Sequence, residues 1–353
     1  MAGRVRNLSP WASWMLQLGA VESADPCPPV GADDLEAFQS WRERAHARLL
    51  EMLGPPPDPV ALELETLESE DAGTYRRDRI VFDVEATMSV PAYLLVPHAR
   101  TVPGPAILAA HGHGGGKSDV CDLDDGDPAR RAVIDEQNAG YAHELALRGY
   151  VVLAPDLRCF GERADWQPED KYHCDVNLVH ALMAGRNPLA QNLWDLGRAL
   201  DVLGAHPLVD HDRLGMVGLS YGGTVTLFLA ALDPRVAAAV VSGYFSSWKA
   251  AHRMPWNMCG SQVLPGMLGA LEHVDLGAMV APRPLLIESG SDDDLFPVAV
   301  AARELSTLAR VYEALGAADR LEHDAFAGGH RWNGTHAYPF LDRHLGHQPP
   351  STP

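Results

Sequence analysis

The chain has 353 residues, 46% of them hydrophobic and 21% charged, a balance that builds a large buried core and excludes a disordered protein. Acids outnumber bases 47 to 28, for a net charge of −19, which argues against nucleic acid or an anionic membrane as partner. The five cysteines, Cys27, Cys121, Cys159, Cys174 and Cys259, are scattered with no Cys-x-x-Cys pair, so the sequence indicates neither a disulfide framework nor a zinc site and points to a reducing, cytoplasmic compartment.

Along the chain, Arg4, Arg6 and the segment Trp11 to Val21 mimic a secretory signal, but Ser13 and Gln17 interrupt it, and a short amphipathic helix packed on the domain is expected instead. Leu35, Phe38, Trp41, Ala45, Leu49 and Met52 recur at helical spacing, which predicts a helix over 35–53 stopped by Gly54-Pro55-Pro56-Pro57. Residues 1–75 thus read as a helical N-terminal extension and a candidate surface for a homo-oligomer, with the main domain over 76–353. After it come strand candidates at 79–84, 92–96, 106–110, 150–154, 214–217, 236–241, 284–287 and 321–325. Helices are expected between them at about 132–148, 190–204, 221–232, 298–315 and 335–346. Apolar strands alternating with helices predict an α/β architecture, a mostly parallel sheet covered on both faces with its ligand edge at the strand C-termini. Residues 156–189 and 243–282 are long excursions rich in Trp, Met, Pro and His, expected as pocket walls or a lid. No run approaches the roughly 18–20 apolar residues of a membrane span.

The strand ends carry the chemistry. Gly218-Leu219-Ser220-Tyr221-Gly222-Gly223 follows a strand and opens an apolar helix, which forces Ser220 toward positive φ with its hydroxyl at the top of the sheet. His111-Gly112-His113-Gly114-Gly115-Gly116-Lys117-Ser118 reads as an oxyanion loop, whose glycines let backbone N–H groups face a developing alkoxide. Its rivals are weaker: the first glycine of a Walker loop is replaced by His111, and His111 and His113 lack the carboxylate partner a metal site would want. The acidic run Asp119, Asp122, Asp124, Asp125 and Asp127 fails the spacing of a calcium loop and reads as solvated. Asp292, Asp293 and Asp294 follow the strand at 284–287, where an acid can orient a histidine. His330, in Gly328-Gly329-His330, completes the chain order Ser, Asp, His.

These segments, with Ala154-Pro155-Asp156-Leu157-Arg158-Cys159-Phe160-Gly161-Glu162-Arg163 and Ala281-Pro282-Arg283-Pro284-Leu285, resemble the α/β-hydrolase superfamily, specifically its dienelactone-hydrolase-like and acetylxylan-esterase-like bacterial serine esterases. The resemblance covers roughly 75–347. It implies the α/β-hydrolase fold with the N-terminal extension outside it, and it selects Asp293 through Gly290-x-x-Asp293-x-x-x-Pro297. It further implies a Ser220–His330–Asp293 triad with oxyanion donors on the backbone of Tyr221 and of His113, with Gly114 an alternative. Dienelactone hydrolases proper use a cysteine nucleophile; Ser220 here favours ester hydrolysis. The expected activity is therefore hydrolysis of small or medium carboxylic esters, acetyl esters among them, without cofactor or metal. Tyr244, Phe245, Trp248, Trp256 and Met258 are the expected pocket wall. Two alternatives stand beside this reading: cleavage of a peptide amide or C–C bond on the same triad, and a catalytically silent binding protein on the same fold.

Overall fold

The computed structural model describes residues 8–28, 34–165, 172–251 and 258–349. Its strands are β1 (Glu65–Asp71), β2 (Tyr75–Glu85), β3 (Met88–Pro97), β4 (Gly104–Ala110), β5 (Val151–Pro155), β6 (Val209–Leu219), β7 (Val236–Ser242), β8 (Leu285–Gly290) and β9 (Leu321–Phe326). Its helices are α1 (Pro10–Ala20), α2 (Leu35–Leu53), α3 (Lys117–Val120), α4 (Pro128–Gln137), α5 (Tyr141–Leu147), α6 (His173–Met183), α7 (Pro188–Gly204), α8 (Tyr221–Leu232), α9 (Trp248–Ala251), α10 (His273–Val280), α11 (Val298–Ala314) and α12 (Ala337–His344).

The strands form one sheet of order β1-β2-β3-β5-β4-β6-β7-β8-β9, antiparallel from β1 through the β3–β5 pair and parallel from β5 onward. Both faces are buried, so the parallel strands read as continuous apolar runs whose alternate residues enter different cores. Ala106, Leu108 and Ala110 of β4 join Leu153, Met216, Val241 and Ile287 in a core shared with α2, α7, α8, α10 and α11. Ile107 and Ala109 join Val152, Val217, Val240 and Leu286 on the other face, under α5 and α12. Among the described residues, no helix is long and apolar enough to cross a membrane.

Helix α2 has the predicted limits, and Phe38, Trp41, Ala45 and Leu49 enter the first core. It therefore packs as part of the main body. Two expectations are corrected. The stretch up to residue 75 is not helical throughout, because β1 lies within it; every β1 side chain is exposed, so the strand shows no alternation to read. Its charges fit an edge: Glu68 and Glu70 stand opposite Arg79 and Arg77 of β2 and pair with them. The helix expected over 132–148 is two helices, α4 and α5, because Asn138 caps α4 in the left-handed conformation at φ 49°. That break docks the loop after β9: the Trp332 N–H donates to the Gln137 carbonyl at 3.0 Å, and Asn138 Nδ2 donates to the Trp332 carbonyl at 3.2 Å.

Candidate active site

Strand β6 delivers Ser220 onto a turn with no room for side chains around it. Ser220 has φ 60° and ψ −119°, immediately before α8. A non-glycine residue at positive φ costs on the order of 1–3 kcal/mol and persists where its surroundings over-determine it. Here the Ser220 N–H donates to the Ser242 carbonyl and its own carbonyl accepts from Thr224 N–H, both at 2.9 Å. A Cβ on Gly218 would overlap the backbone of Gly222, and one on Gly222 would overlap the Ala110 carbonyl, so both glycines are steric requirements of the turn.

The loops after β8 and β9 bring Asp293 and His330 together. His330 Nδ1 donates to Asp293 Oδ2 at 2.8 Å. Asp293 Oδ1 accepts the N–H groups of Leu295 and Phe296 at 2.9 and 3.0 Å, so this carboxyl is fixed on both oxygens and is only 4% exposed. Since the carboxylate can only accept, the proton of a neutral His330 sits on Nδ1, and Nε2 carries the lone pair. Nε2 is buried and has no hydrogen-bond partner among the described residues. The ring stacks on Phe296, and the bare Cα of Gly243 makes room for its edge. Among the described residues, neither Asp292 nor Asp294 is hydrogen-bonded to His330.

Beneath this pair lies a second buried acid. Glu288, at the end of β8, accepts the N–H groups of Gly334 and Asn333 at 2.8 and 3.2 Å and so anchors the loop that carries His330. Burial pushes its carboxyl up to about 7.

The loop after β4 runs alongside the serine. Ala110 is in register with Gly218, and a Cβ on Gly112 would come within 3.3 Å of Ser220 Cβ. Gly115 N–H donates to Asp119, and Lys117 N–H donates to Asp156 at 2.7 Å. Among the described residues, no hydrogen bond occupies the N–H of His113, Gly114 or Tyr221. Lys117 is buried between Asp156 and Glu162, each 2.6 Å from Nζ, so the Gly116-Lys117-Ser118 step is a structural anchor with no lysine left for a phosphate. His111 faces away from Ser220: its Nε2 accepts the Leu157 N–H at 2.9 Å, and burial lowers its pKa. In the acidic run, Asp119 and Asp125 pair with Arg130 and Asp122 pairs with Arg131, so it is a tethered turn more than a solvated loop.

Ser220 and His330 open on one cavity of about 550 Å³, lined also by His113, Gln137, Tyr172, Asp175, Met258, Cys259, Gln262, Leu295 and Phe296. Of the expected pocket wall, Met258 lines it, and Trp256 lies outside the described residues. Tyr244, Phe245 and Trp248 do not line it: all three are buried in the first core. Trp248 packs on His273 with its indole N–H on the Leu271 carbonyl, and Tyr244 stands behind Phe296, one ring removed from His330. A dense apolar segment looks alike in sequence whether its rings face a pocket or each other. Tyr172 and Gln262 had no sequence signal. Neither had Cys174 and Cys259, whose sulfurs surround His113 Nε2 at 3.7 and 3.2 Å. The hydrogen bond from Cys259, and then the contact with His113, hold the Cys174 thiol below the usual thiol range. A second cavity, of about 560 Å³ between the end of α2 and α7, contains none of Ser220, Asp293 or His330.

Comparison with known proteins bears on the chain as a whole. A curated relative, "Putative hydrolase YtaP" of Bacillus subtilis (strain 168), is 27% identical over 295 residues, which is 82% of this chain and 94% of the relative. The solved "putative acetyl xylan esterase" of Bacteroides fragilis NCTC 9343 is similar with a TM-score of 0.76 at 20% identity, covering 91% of this chain and 83% of the other. A glucuronoyl esterase from Solibacter usitatus is similar with a TM-score of 0.68 at 15% identity, covering 92% and 98% of the two chains. At these identities the solved structures establish the α/β-hydrolase fold. The Abhydrolase family matches residues 31–325, a span that takes in α2 as well as the sheet, and this chain belongs to that family.

Proposed function

We propose that the protein is a serine carboxylester hydrolase in which Ser220 is the nucleophile, His330 the general base and acid, and Asp293 the residue that orients His330. The observation that carries this reading is that Ser220 on its strained turn and His330 share one cavity, while Asp293 fixes the imidazole with Nε2 unbonded. In the reaction, His330 Nε2 takes the Ser220 proton as Oγ attacks the ester carbonyl. Negative charge develops on the carbonyl oxygen, and the backbone N–H groups of Tyr221 and His113, with Gly114 as the alternative donor, stabilise it. His330 then protonates the departing alcohol. Water, deprotonated by the same nitrogen, attacks the acyl-enzyme; the acid leaves and Ser220 is restored.

The substrate class follows from the cavity. Met258, Leu295 and Phe296 offer apolar wall, and Gln137, Tyr172, Asp175 and Gln262 offer polar groups, so the cavity suits an ester with a small apolar acyl group and a hydroxyl-bearing remainder. The similar solved proteins are named as esterases, which supports ester over amide or C–C cleavage. Turnover of p-nitrophenyl esters from acetyl to long acyl chains, of acetylated sugars and of a matched anilide tests this. The expected order is short acyl esters and acetylated sugars first, with the anilide slower by orders of magnitude. Preference for the anilide or for long chains contradicts it.

A further inference from the structure

Three residues from three distant parts of the chain converge in the wall of the candidate active site: His113 in the loop after β4, Cys174 in α6, and Cys259 in the loop before α10. Their side-chain ligand atoms all lie within 4.8 Å of one another. His113 Nε2 is 3.2 Å from Cys259 Sγ and 3.7 Å from Cys174 Sγ. In a tetrahedral zinc site with Zn–S of about 2.3 Å and Zn–N of about 2.0–2.1 Å, the N···S edges come to about 3.6 Å and the S···S edge to about 3.8 Å. The two N···S distances are thus within a few tenths of an ångström of the edges that such an ion would impose, and the two sulfurs lie within 4.8 Å of each other.

The surroundings hold them there. The His113 ring is packed against Phe160, Tyr172 and Tyr221, with centroids 5.4, 5.8 and 5.3 Å away. Cys174 and Cys259 are brought together by Gly260, whose N–H donates to Asp175 at 2.9 Å. A Cβ on Gly260 would come within 2.7 Å of the Cys174 carbonyl, so the loop lies directly on α6 only because that residue is glycine. Cys174 is fully buried, Cys259 is 7% exposed, and His113 and Cys259 both line the cavity. Among the described residues the group has three members, two of which, His113 and Cys259, line the cavity that Ser220 also lines.

We propose that His113, Cys174 and Cys259 form a binding site for a thiophilic metal cation of the Zn²⁺ class, with its fourth position open to the cavity that holds Ser220. Two thiols and an imidazole select soft or borderline transition metals over Mg²⁺ or Ca²⁺, which require oxygen ligands. The charges also balance. Zn²⁺ displaces one proton from each thiol to solvent, and the dication, two thiolates and neutral imidazole sum to zero, as a buried site needs. The ion would tie the two long excursions to the loop after β4, the loop whose backbone is proposed to face the oxyanion. Its open position would hold water or an oxygen of the bound ester. The site rests on its three ligands and stands or falls apart from the role of Ser220.

The full-length protein, reduced and stripped with a chelator, is titrated with Zn²⁺ against a chromophoric competitor, and with Co²⁺ for its spectrum. One equivalent of zinc per chain is expected, together with thiolate-to-cobalt charge-transfer absorption. Cys174→Ser and Cys259→Ser should each weaken zinc on the order of 10²-fold or more, above the 10–100-fold typical for loss of an outer partner. Cys121→Ser, a buried thiol in the core on the opposite face of the sheet, should bind as the parent does. Zinc should also raise the melting temperature of the parent and of Cys121→Ser alone. If a serine variant folds poorly, the cobalt spectrum of the parent before and after thiol alkylation decides. Failure of the reduced parent to retain zinc overturns the proposal. So does equal affinity in all four proteins, or a cobalt complex without thiolate absorption.

Discussion

Three aspartates follow β8, and among the described residues Asp293 is the one hydrogen-bonded to His330. If this contact orients the base, Ser220→Ala, His330→Ala and Asp293→Asn should each lower ester turnover by roughly 10³-fold or more, since such residues act as a unit. Asp292→Asn and Asp294→Asn should stay within a few-fold of the parent. A crippled Asp294→Asn enzyme with an active Asp293→Asn enzyme would reverse the assignment. The neighbouring acid Glu288 makes a different prediction. Its carboxyl rises from 4.5 to about 7 on burial, so the folded state holds its proton more tightly than the unfolded chain. Stability from this group is therefore full below about pH 4.5 and is lost as pH rises toward about 7. At about 1.36 kcal/mol per pH unit, the effect is at most about 3 kcal/mol. Glu288→Gln should flatten the fall in melting temperature across this window. A gap between the two proteins that is constant from pH 5 to 8 would show that Glu288 titrates normally.

At the scale of elements, the Ser220 turn was legible because its signal is local. Two glycines, a serine and the flanking apolar runs specify a strand, a bend at positive φ and a helix. The glycine requirement gives a sharp contrast. Gly222→Ala should cost about 3 kcal/mol, the upper end of overpacking, because its new methyl meets the Ala110 carbonyl. Gly197→Ala, inside α7 with nothing within 4 Å of the added carbon, should be neutral or stabilising by about 0.5–1 kcal/mol. Denaturant midpoints measure both, and equal effects would contradict the steric account. What was not legible had no local signal. Strand β1 is wholly exposed and largely acidic, and its burial shows no alternation. The break between α4 and α5 turns on one left-handed asparagine within an otherwise helical pattern.

At the scale of the molecule, the sheet order places β4, β6, β7, β8 and β9 side by side, so loops far apart in sequence meet at one edge. The order Ser, Asp, His could be read along the chain, with the resemblance needed to choose among three aspartates. The cluster of His113, Cys174 and Cys259 could not, since its members are separated by 61 and 85 positions and meet only once the two excursions fold over the edge. Tyr244, Phe245 and Trp248 were misplaced for a related reason: which way a ring faces is decided by packing against α8 and α10. On the proposed mechanism this edge makes Ser220 a nucleophile. A fluorophosphonate probe, with the adduct located by peptide mass spectrometry, tests it most directly. Stoichiometric labelling on Ser220 alone is expected, abolished by Ser220→Ala and slowed by orders of magnitude in His330→Ala. Absence of labelling in the folded parent protein, or an adduct on another residue that survives Ser220→Ala, would contradict it.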